Sequence, residues 1–347
     1  MMYKTVAIVL IAISTVLLMI NYVPGIAEDE AETGQIYSTT RSLMDTTVTV
    51  SVLSSDETAA QASIEKAFER IEYVDRLMNN YDNNSELSTL NEQGYLNNTN
   101  PDILYVVNRS DHYSESSQGA FDISILPILE LWKSKYSPGG TYQDPTPEEI
   151  NETLELVNYS AISVEGNNIT LEKEGMMITL GGVAKGYAVD LAIESLLEDG
   201  IESGFVNAGG DGRYIGHKPD GSPWKVGLQN PDRAGEAVVV MNLEDMAVAT
   251  SGNYERYFND AARVSHISDP RTGYPSQDLI SATVIAETAM DSDAFATAVF
   301  VMGEEEGLEM IEDLANIECL IITSDKRLVR SSGFAEYEST IESNTLV

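Results

Sequence analysis

Two oxygen-bearing side chains, Asp293 and Thr297, stand four residues apart in the run DSDAFATAV. On a helix that spacing puts them on one face, where a carboxylate and a hydroxyl can both offer oxygen to a hard cation such as Mg2+. A plainer account also fits, with Asp291 as the helix N-cap and Asp293 favoured in the first turn by the helix dipole. Upstream, LGGVAKGYAVD sets Gly181, Gly182, Lys185 and Gly186 just ahead of an amphipathic run. Backbone N–H groups there suit an anion, with Lys185 adding charge; a tight turn chosen for close packing explains the same glycines. The stretch is neither G-x-x-x-x-G-K-[ST] nor G-x-G-x-x-G, so the two familiar nucleotide loops are excluded.

Three further corners carry polar or glycine clusters: Asn207 to Gly212 (NAGGDG), Thr250-Ser251-Gly252, and His266 to Gly273 (HISDPRTG). His266 lies beside an aspartate and an arginine at a strand end, which makes it a candidate acid–base group. The only other histidines are His112 and His217, far off in sequence, and Cys319 is the only cysteine, so no zinc set exists. Cys319 sits in the apolar run IECLIIT and reads as a buried strand thiol.

Periodicity supplies the elements that must carry these residues. Strands are expected at 45–53, 203–216, 223–229, 236–242, 263–268, 280–286, 317–323 and 327–331. AISVEGNNITLEK reads as a hairpin turning at Gly166-Asn167. Helices are expected at 56–79, 101–117, 147–156, 184–199, 291–302 and 304–315, with YDNNSELSTLN and residues 134–150 before the third helix as loop. Helices and antiparallel strands interleave without βαβ repetition, so the class is α+β.

Acidic residues outnumber basic ones by 56 to 20, a net charge of −36, which excludes a nucleic-acid binder. Such a surface suits a high-salt setting, and its field draws divalent cations while repelling anions. Val6 to Ile20 is uncharged and apolar, and Gly25-Ile26-Ala27 is a small-x-small triplet. Residues 1–27 therefore read as a membrane anchor or a cleaved signal, 28–38 as a linker, and the chain as facing the extracytoplasmic side. Six N-x-S/T triplets, from Asn83 to Asn168, are compatible with that placement.

Taken together the motifs resemble the ApbE family of FAD:protein FMN transferases. The resemblance rests on Met44-Asp45-Thr46, YDNNSELSTLN, GAFDISILPILELW, LGGVAKGYAVD, VATSGNYERYF with SHISDPRTGYP, and SDAFATAVFVMG, in that order. It implies a single α+β, T-fold-like catalytic domain over 39–335, with antiparallel sheets and flanking helices, and a tail at 336–347. It implies Mg2+-dependent transfer of FMN from FAD to a threonine or serine hydroxyl of an acceptor flavoprotein, an extracytoplasmic or membrane redox subunit, with release of AMP. Carried over by motif, FAD contacts fall to Met44, Tyr81, Ala120, Phe121, Asp122, Thr179, Lys185 and Ile267. The metal falls to Asp293, Thr297 and the Gly182 carbonyl, and His266 to activation of the acceptor hydroxyl or to phosphate.

Three positions depart from the family pattern: Asp45 stands where glycine is usual, Thr179 where aspartate is, and Ser265 where a second histidine is. Phe121 and Tyr81 suit an aromatic ring of FAD, although core packing is an equal account of Phe121. Two other functions remain open on sequence: a Mg2+-dependent FAD pyrophosphatase giving FMN and AMP, and a non-catalytic flavin-binding protein.

Overall fold

Strand signals dominate where β-branched residues alternate, and they assemble one large sheet. The computed structural model describes residues 34–339 except 138, 234, 254–256, 260–263 and 266. In chain order the strands are β1 (Gln35–Leu43), β2 (Thr46–Ser54), β3 (Tyr95–Leu96), β4 (Ile162–Glu165), β5 (Asn168–Leu171), β6 (Gly204–Ala208), β7 (Asp211–Ile215) and β8 (Trp224–Gln229). They continue as β9 (Ala237–Leu243), β10 (Met246–Gly252), β11 (Tyr257–Asn259), β12 (Val264–Ser265), β13 (Leu279–Ala286), β14 (Glu318–Thr323) and β15 (Leu328–Arg330). The α-helices are α1 (Glu57–Met78), α2 (Glu86–Gln93), α3 (Pro101–Ser116), α4 (Leu126–Tyr136), α5 (Pro147–Leu154), α6 (Ala184–Glu198) and α7 (Ala289–Glu312).

The eight-stranded sheet runs β1-β2-β6-β7-β10-β13-β14-β15, and every neighbouring pair is antiparallel. Alternation sorts its two faces. Ala247, Ala249, Val284, Cys319 and Ile321 point into the main core with α1, α6 and α7. Val248, Ile285, Leu320 and Ile322 point the other way, where the β8–β9 hairpin brings Trp224, Leu228 and Met241 over them. Helices thus cover one face and a hairpin the other, an α+β mixture with antiparallel sheets. Cys319 is fully buried, as its apolar run predicts, and burial pushes its thiol up to about 12.

Several elements differ from the sequence reading, among them the short strands β3 and β11, where none was expected. β1 begins at Gln35, inside the stretch read as linker, and pairs with β2 along its whole length. β10, α2 and α4 occupy stretches assigned no regular structure, and α2 lies in the loop-like motif SELSTLN. Residues read as tail also pack: the Ser339 amide donates to Val240 O at 2.7 Å and the Asn242 amide to Tyr337 O at 2.8 Å. The break expected between helices at 291–302 and 304–315 is present: α7 is interrupted at Gly303, whose φ of 85° is outside the helical range. Among the described residues no helix is long and apolar enough to cross a membrane; 1–27 lie outside them.

Candidate active site

The LGGVAKG stretch folds as a turn into a helix. The Val183 and Ala184 amides donate back to Leu180 O, at 3.0 and 2.7 Å, and α6 starts at Ala184. The Gly186 amide, one of the N–H groups a helix start leaves over, donates to Asp293 Oδ2 at 3.0 Å. At this position the anion is therefore a carboxylate of α7 rather than a phosphate. Glycine is required at 186 because a Cβ would lie 2.2 Å from Ala289 O, so α6 and α7 meet there backbone to backbone. A Cβ on Gly182 would lie 3.3 Å from Thr297 Oγ1 and 3.3 Å from the Phe121 ring. Asp293 and Thr297, one helical turn apart, thus face the same glycine turn.

Thr288, not Asp291, caps α7: its side chain accepts from the Asp291 amide. A threonine hydroxyl reaches that amide three residues on, which releases Asp291 for tertiary bonds. Asp291 accepts from Tyr113 Oη at 2.6 Å and pairs with Arg109 at 2.9 Å. Burial opposes its charge, yet the bonds from Tyr113, Thr288 and Arg109 hold its carboxyl below the usual range.

Asp293 is in the opposite condition. Burial and the nearby Asp211 charge raise its carboxyl, against the pull of Lys185 and the Gly186 amide. Lys185 Nζ pairs with Asp211 Oδ2 at 2.6 Å, and Asp211 Oδ1 accepts the Thr250 amide at 3.1 Å. The next residue, Ser251, brings its Oγ within 3.2 Å of Thr297 Oγ1. Among the described residues no three His, Cys, Asp or Glu side chains form a metal cluster. What surrounds the turn is the buried carboxylates of Asp293 and Asp211, with Lys185 on the latter, and the hydroxyls of Thr297 and Ser251. That all-oxygen set fits a hard divalent cation and not a thiophilic one.

The remaining predicted residues fall into two groups. Met44 and Asp45 form the two-residue turn between β1 and β2, with φ of 51° and 56°. Both are left-handed, as a type I′ hairpin demands, so Asp45 adopts the conformation that glycine would favour. That turn abuts the second glycine cluster: a Cβ on Gly209 would lie 2.2 Å from Thr46 Oγ1, and the Gly209 amide donates to Thr47 O at 3.0 Å. Thr179 ties the segment before the glycine turn to two motifs. Its amide donates to Ile123 O at 2.7 Å, and its Oγ1 donates to Asn80 Oδ1 at 3.3 Å and accepts the Gly181 amide at 3.2 Å. Tyr81 follows Asn80 and is 66% exposed, with Lys133 Nζ 4.8 Å from its ring centroid.

Ala120, Phe121 and Asp122 are buried. Phe121 packs edge-on against Tyr113, with centroids 5.7 Å apart, so its core-packing account holds, while its rim reaches Gly182. Asp122 is committed to its own turn: Oδ1 accepts from the Ser124 amide and hydroxyl at 2.7 Å each, and Oδ2 from the Tyr159 amide at 3.0 Å. Ile267 is partly buried against the main core. His266 lies outside the described residues. Beyond it the turn is built as its Asp-Pro start predicts: Asp269 O accepts the Gly273 amide at 2.7 Å, and Asp269 pairs with Arg271 at 3.0 Å.

Comparison with known proteins decides the affiliation. The model of the ApbE family matches residues 44–321, most of the chain. The chain belongs to the ApbE family. An FAD:protein FMN transferase from Haemophilus influenzae is 32% identical over 317 residues, 87% of this chain and 90% of that protein. Another from Vibrio cholerae is 31% identical, over 86% of this chain and 89% of its own length. Among solved structures, the ApbE protein from Thermotoga maritima superposes with a TM-score of 0.80 at 32% identity, covering 88% of this chain and 100% of that one. The flavin transferase ApbE from Vibrio cholerae does so at 0.74 and 29%, covering 88% and 99%.

In this ApbE-family chain, sequence reasoning missed four residues that build the site. Asp211 and Ser251 lay in corners read only as turns. Asp190 accepts the Ala289 and Met290 amides at 2.9 and 2.8 Å and pairs with Arg213 at 2.9 Å, pinning the start of α7 to α6 and β7. Asn91 pairs both ways with the Ile178 backbone, at 2.8 and 2.7 Å, docking α2 on the irregular segment that enters the turn. The available signal was type: each is an Asp, Asn or Ser inside or at the edge of a quoted motif.

Proposed function

We propose that this chain is an FAD:protein FMN transferase that uses Mg2+ and acts on an extracytoplasmic or membrane acceptor flavoprotein. The observation that carries the reading is the bracket around the glycine turn, with Asp293 at the Gly186 amide and Thr297 beside Gly182. Family membership and the names of the relatives support it. In this reading Asp293, Thr297 and the Gly182 carbonyl hold the cation. When bound, the cation neutralises the FAD pyrophosphate and its leaving oxygen. Lys185 supplies further positive charge to the phosphates. Met44, Tyr81, Phe121 and Thr179 border the flavin and adenine ends, with Ala120, Asp122 and Ile267 in support. His266 takes the proton from the acceptor hydroxyl. The threonine oxygen then bonds to the FMN-side phosphorus, the P–O bond of the pyrophosphate breaks, and AMP leaves with the electron pair. Residues 1–27 tether the domain at the outer face of the membrane.

The test incubates the chain with FAD, Mg2+ and a threonine-bearing acceptor and reads in-gel flavin fluorescence. The wild type is expected to label the acceptor covalently. Asp293→Ala is expected to abolish labelling, while its melting temperature stays near wild type, because losing a buried charge offsets losing the acceptor of the Gly186 amide. Labelling by Asp293→Ala at the wild-type rate contradicts the cation assignment.

A further inference from the structure

Asp211 belongs to none of the groups assigned above to FAD or to the cation, yet it touches both halves of the site. Its side chain is 2% exposed, and it opens β7 directly after Gly209-Gly210. One oxygen holds Lys185 Nζ and the other holds the Thr250 amide, next to the Ser251 that meets Thr297. Asp211 also repels Asp293, whereas Lys185 attracts it. One ammonium therefore stands among two buried carboxylates. The other two acids nearby are matched: Asp190 by Arg213 and Asp291 by Arg109. Among the described residues, once Asp293, whose carboxyl burial raises, is ionised, the turn has an excess of one negative charge.

An excess negative charge is an odd setting for a pyrophosphate, which brings two more. In a low-dielectric pocket that repulsion is costly, since charges at contact distance interact far more strongly than in water. A divalent cation reverses the sign of the pocket and turns repulsion into attraction. We infer that Asp211 is a positioning residue that makes FAD binding contingent on the divalent cation, by holding Lys185 and keeping the empty site negative. Its effect is a coupling between two ligands, and coupling of equilibrium binding is reciprocal: the cation strengthens FAD binding by the factor by which FAD strengthens cation binding. A residue that only braced the fold would leave that factor alone. The inference rests on the proposed function, because it takes the pyrophosphate and the cation to meet at this turn.

The experiment measures FAD affinity on the full chain by flavin fluorescence, in EDTA and in saturating MgCl2, without acceptor and before turnover. Asp211→Asn keeps an oxygen for the Thr250 amide and removes only the charge. It is expected to bind FAD more tightly than wild type in EDTA and to lower the Mg2+ enhancement by about tenfold, within the usual span of intersite coupling. Lys185→Met makes the pocket more negative, so its binding in EDTA falls and its enhancement rises. A lysine that merely contacted phosphate would weaken both conditions equally and leave the enhancement unchanged. Wild-type enhancement in Asp211→Asn overturns the inference; if that variant does not fold, wild-type enhancement in Lys185→Met does so. Wild-type binding that ignores Mg2+ overturns instead the reading of the site on which the inference rests.

Discussion

Asp190 bonds to the first amides of α7, and Asp291 and Asp293 lie in its opening turns, yet their surroundings shift the three carboxyls differently. Asp291 has a guanidinium and a phenol and stays below the usual range. Asp190 has Arg213 and two amides, yet burial outweighs them and its carboxyl rises from the ordinary 3.8 to about 6. The sign for stability follows from linkage. A carboxyl raised in the folded state holds its proton better there than in the unfolded chain. Its stabilisation is complete below about 3.8 and is lost as pH rises through about 6. Asp190→Asn cannot titrate, so the excess stability of wild type over this variant is expected to shrink between about pH 4 and pH 7. Paired thermal melts check this, and a pH-independent difference contradicts it.

At this scale the sequence made legible what is local, namely Asp293 and Thr297 one helical turn apart and the glycine turn with Lys185 ahead of a helix, but not that Asp293 meets the Gly186 amide 107 residues away. Asp211 and Ser251 were not legible. Asp211 acts on Thr250 of a neighbouring strand and Ser251 on Thr297 of α7, 39 and 46 residues away. No spacing rule spans such a gap.

The helical elements divide by how they are encoded. The amphipathic helix α1 and the break at Gly303 could be read from periodicity and one glycine. By contrast, α4 begins LPILELW, with proline in its first turn, where proline is favoured, and its apolar residues form a small satellite core with Ile150. Strand β10, MAVATSG, mixes the strand-favouring Val248 and Thr250 with Ala, Ser and Gly, which have little strand preference. It is a strand because β7 and β13 pair with it on either side.

The contact between α6 and α7 is the element-scale feature on which the site depends. Gly186→Ala places a Cβ 2.2 Å from Ala289 O and 2.8 Å from Met290 Cα, which are backbone atoms and cannot swing aside. We expect a loss of about 1–3 kcal/mol by denaturant unfolding, the usual cost of overpacking, together with loss of transfer. Unchanged stability contradicts this close approach of the two helices.

On the scale of the whole molecule, a charge of −36 acts on every residue at once. Self-repulsion opposes the compact state, and salt relieves it by shortening the screening length from about 10 Å at 0.1 M to about 3 Å at 1 M. Raising NaCl over that range is expected to raise the melting temperature by roughly a few degrees, the shift that about 1–2 kcal/mol produces in a large domain. A constant or falling value contradicts repulsion as a limit on stability. The same field would favour receiving an anionic dinucleotide together with a cation.

The central claim is covalent transfer, and the intact mass of the acceptor tests it most directly. After incubation with the chain, FAD and Mg2+, the acceptor is predicted to gain one FMN less water on a threonine or serine, with one AMP released for each acceptor modified. FMN and AMP released in equal amounts, with the acceptor mass unchanged, would contradict the account and leave an FAD pyrophosphatase in its place.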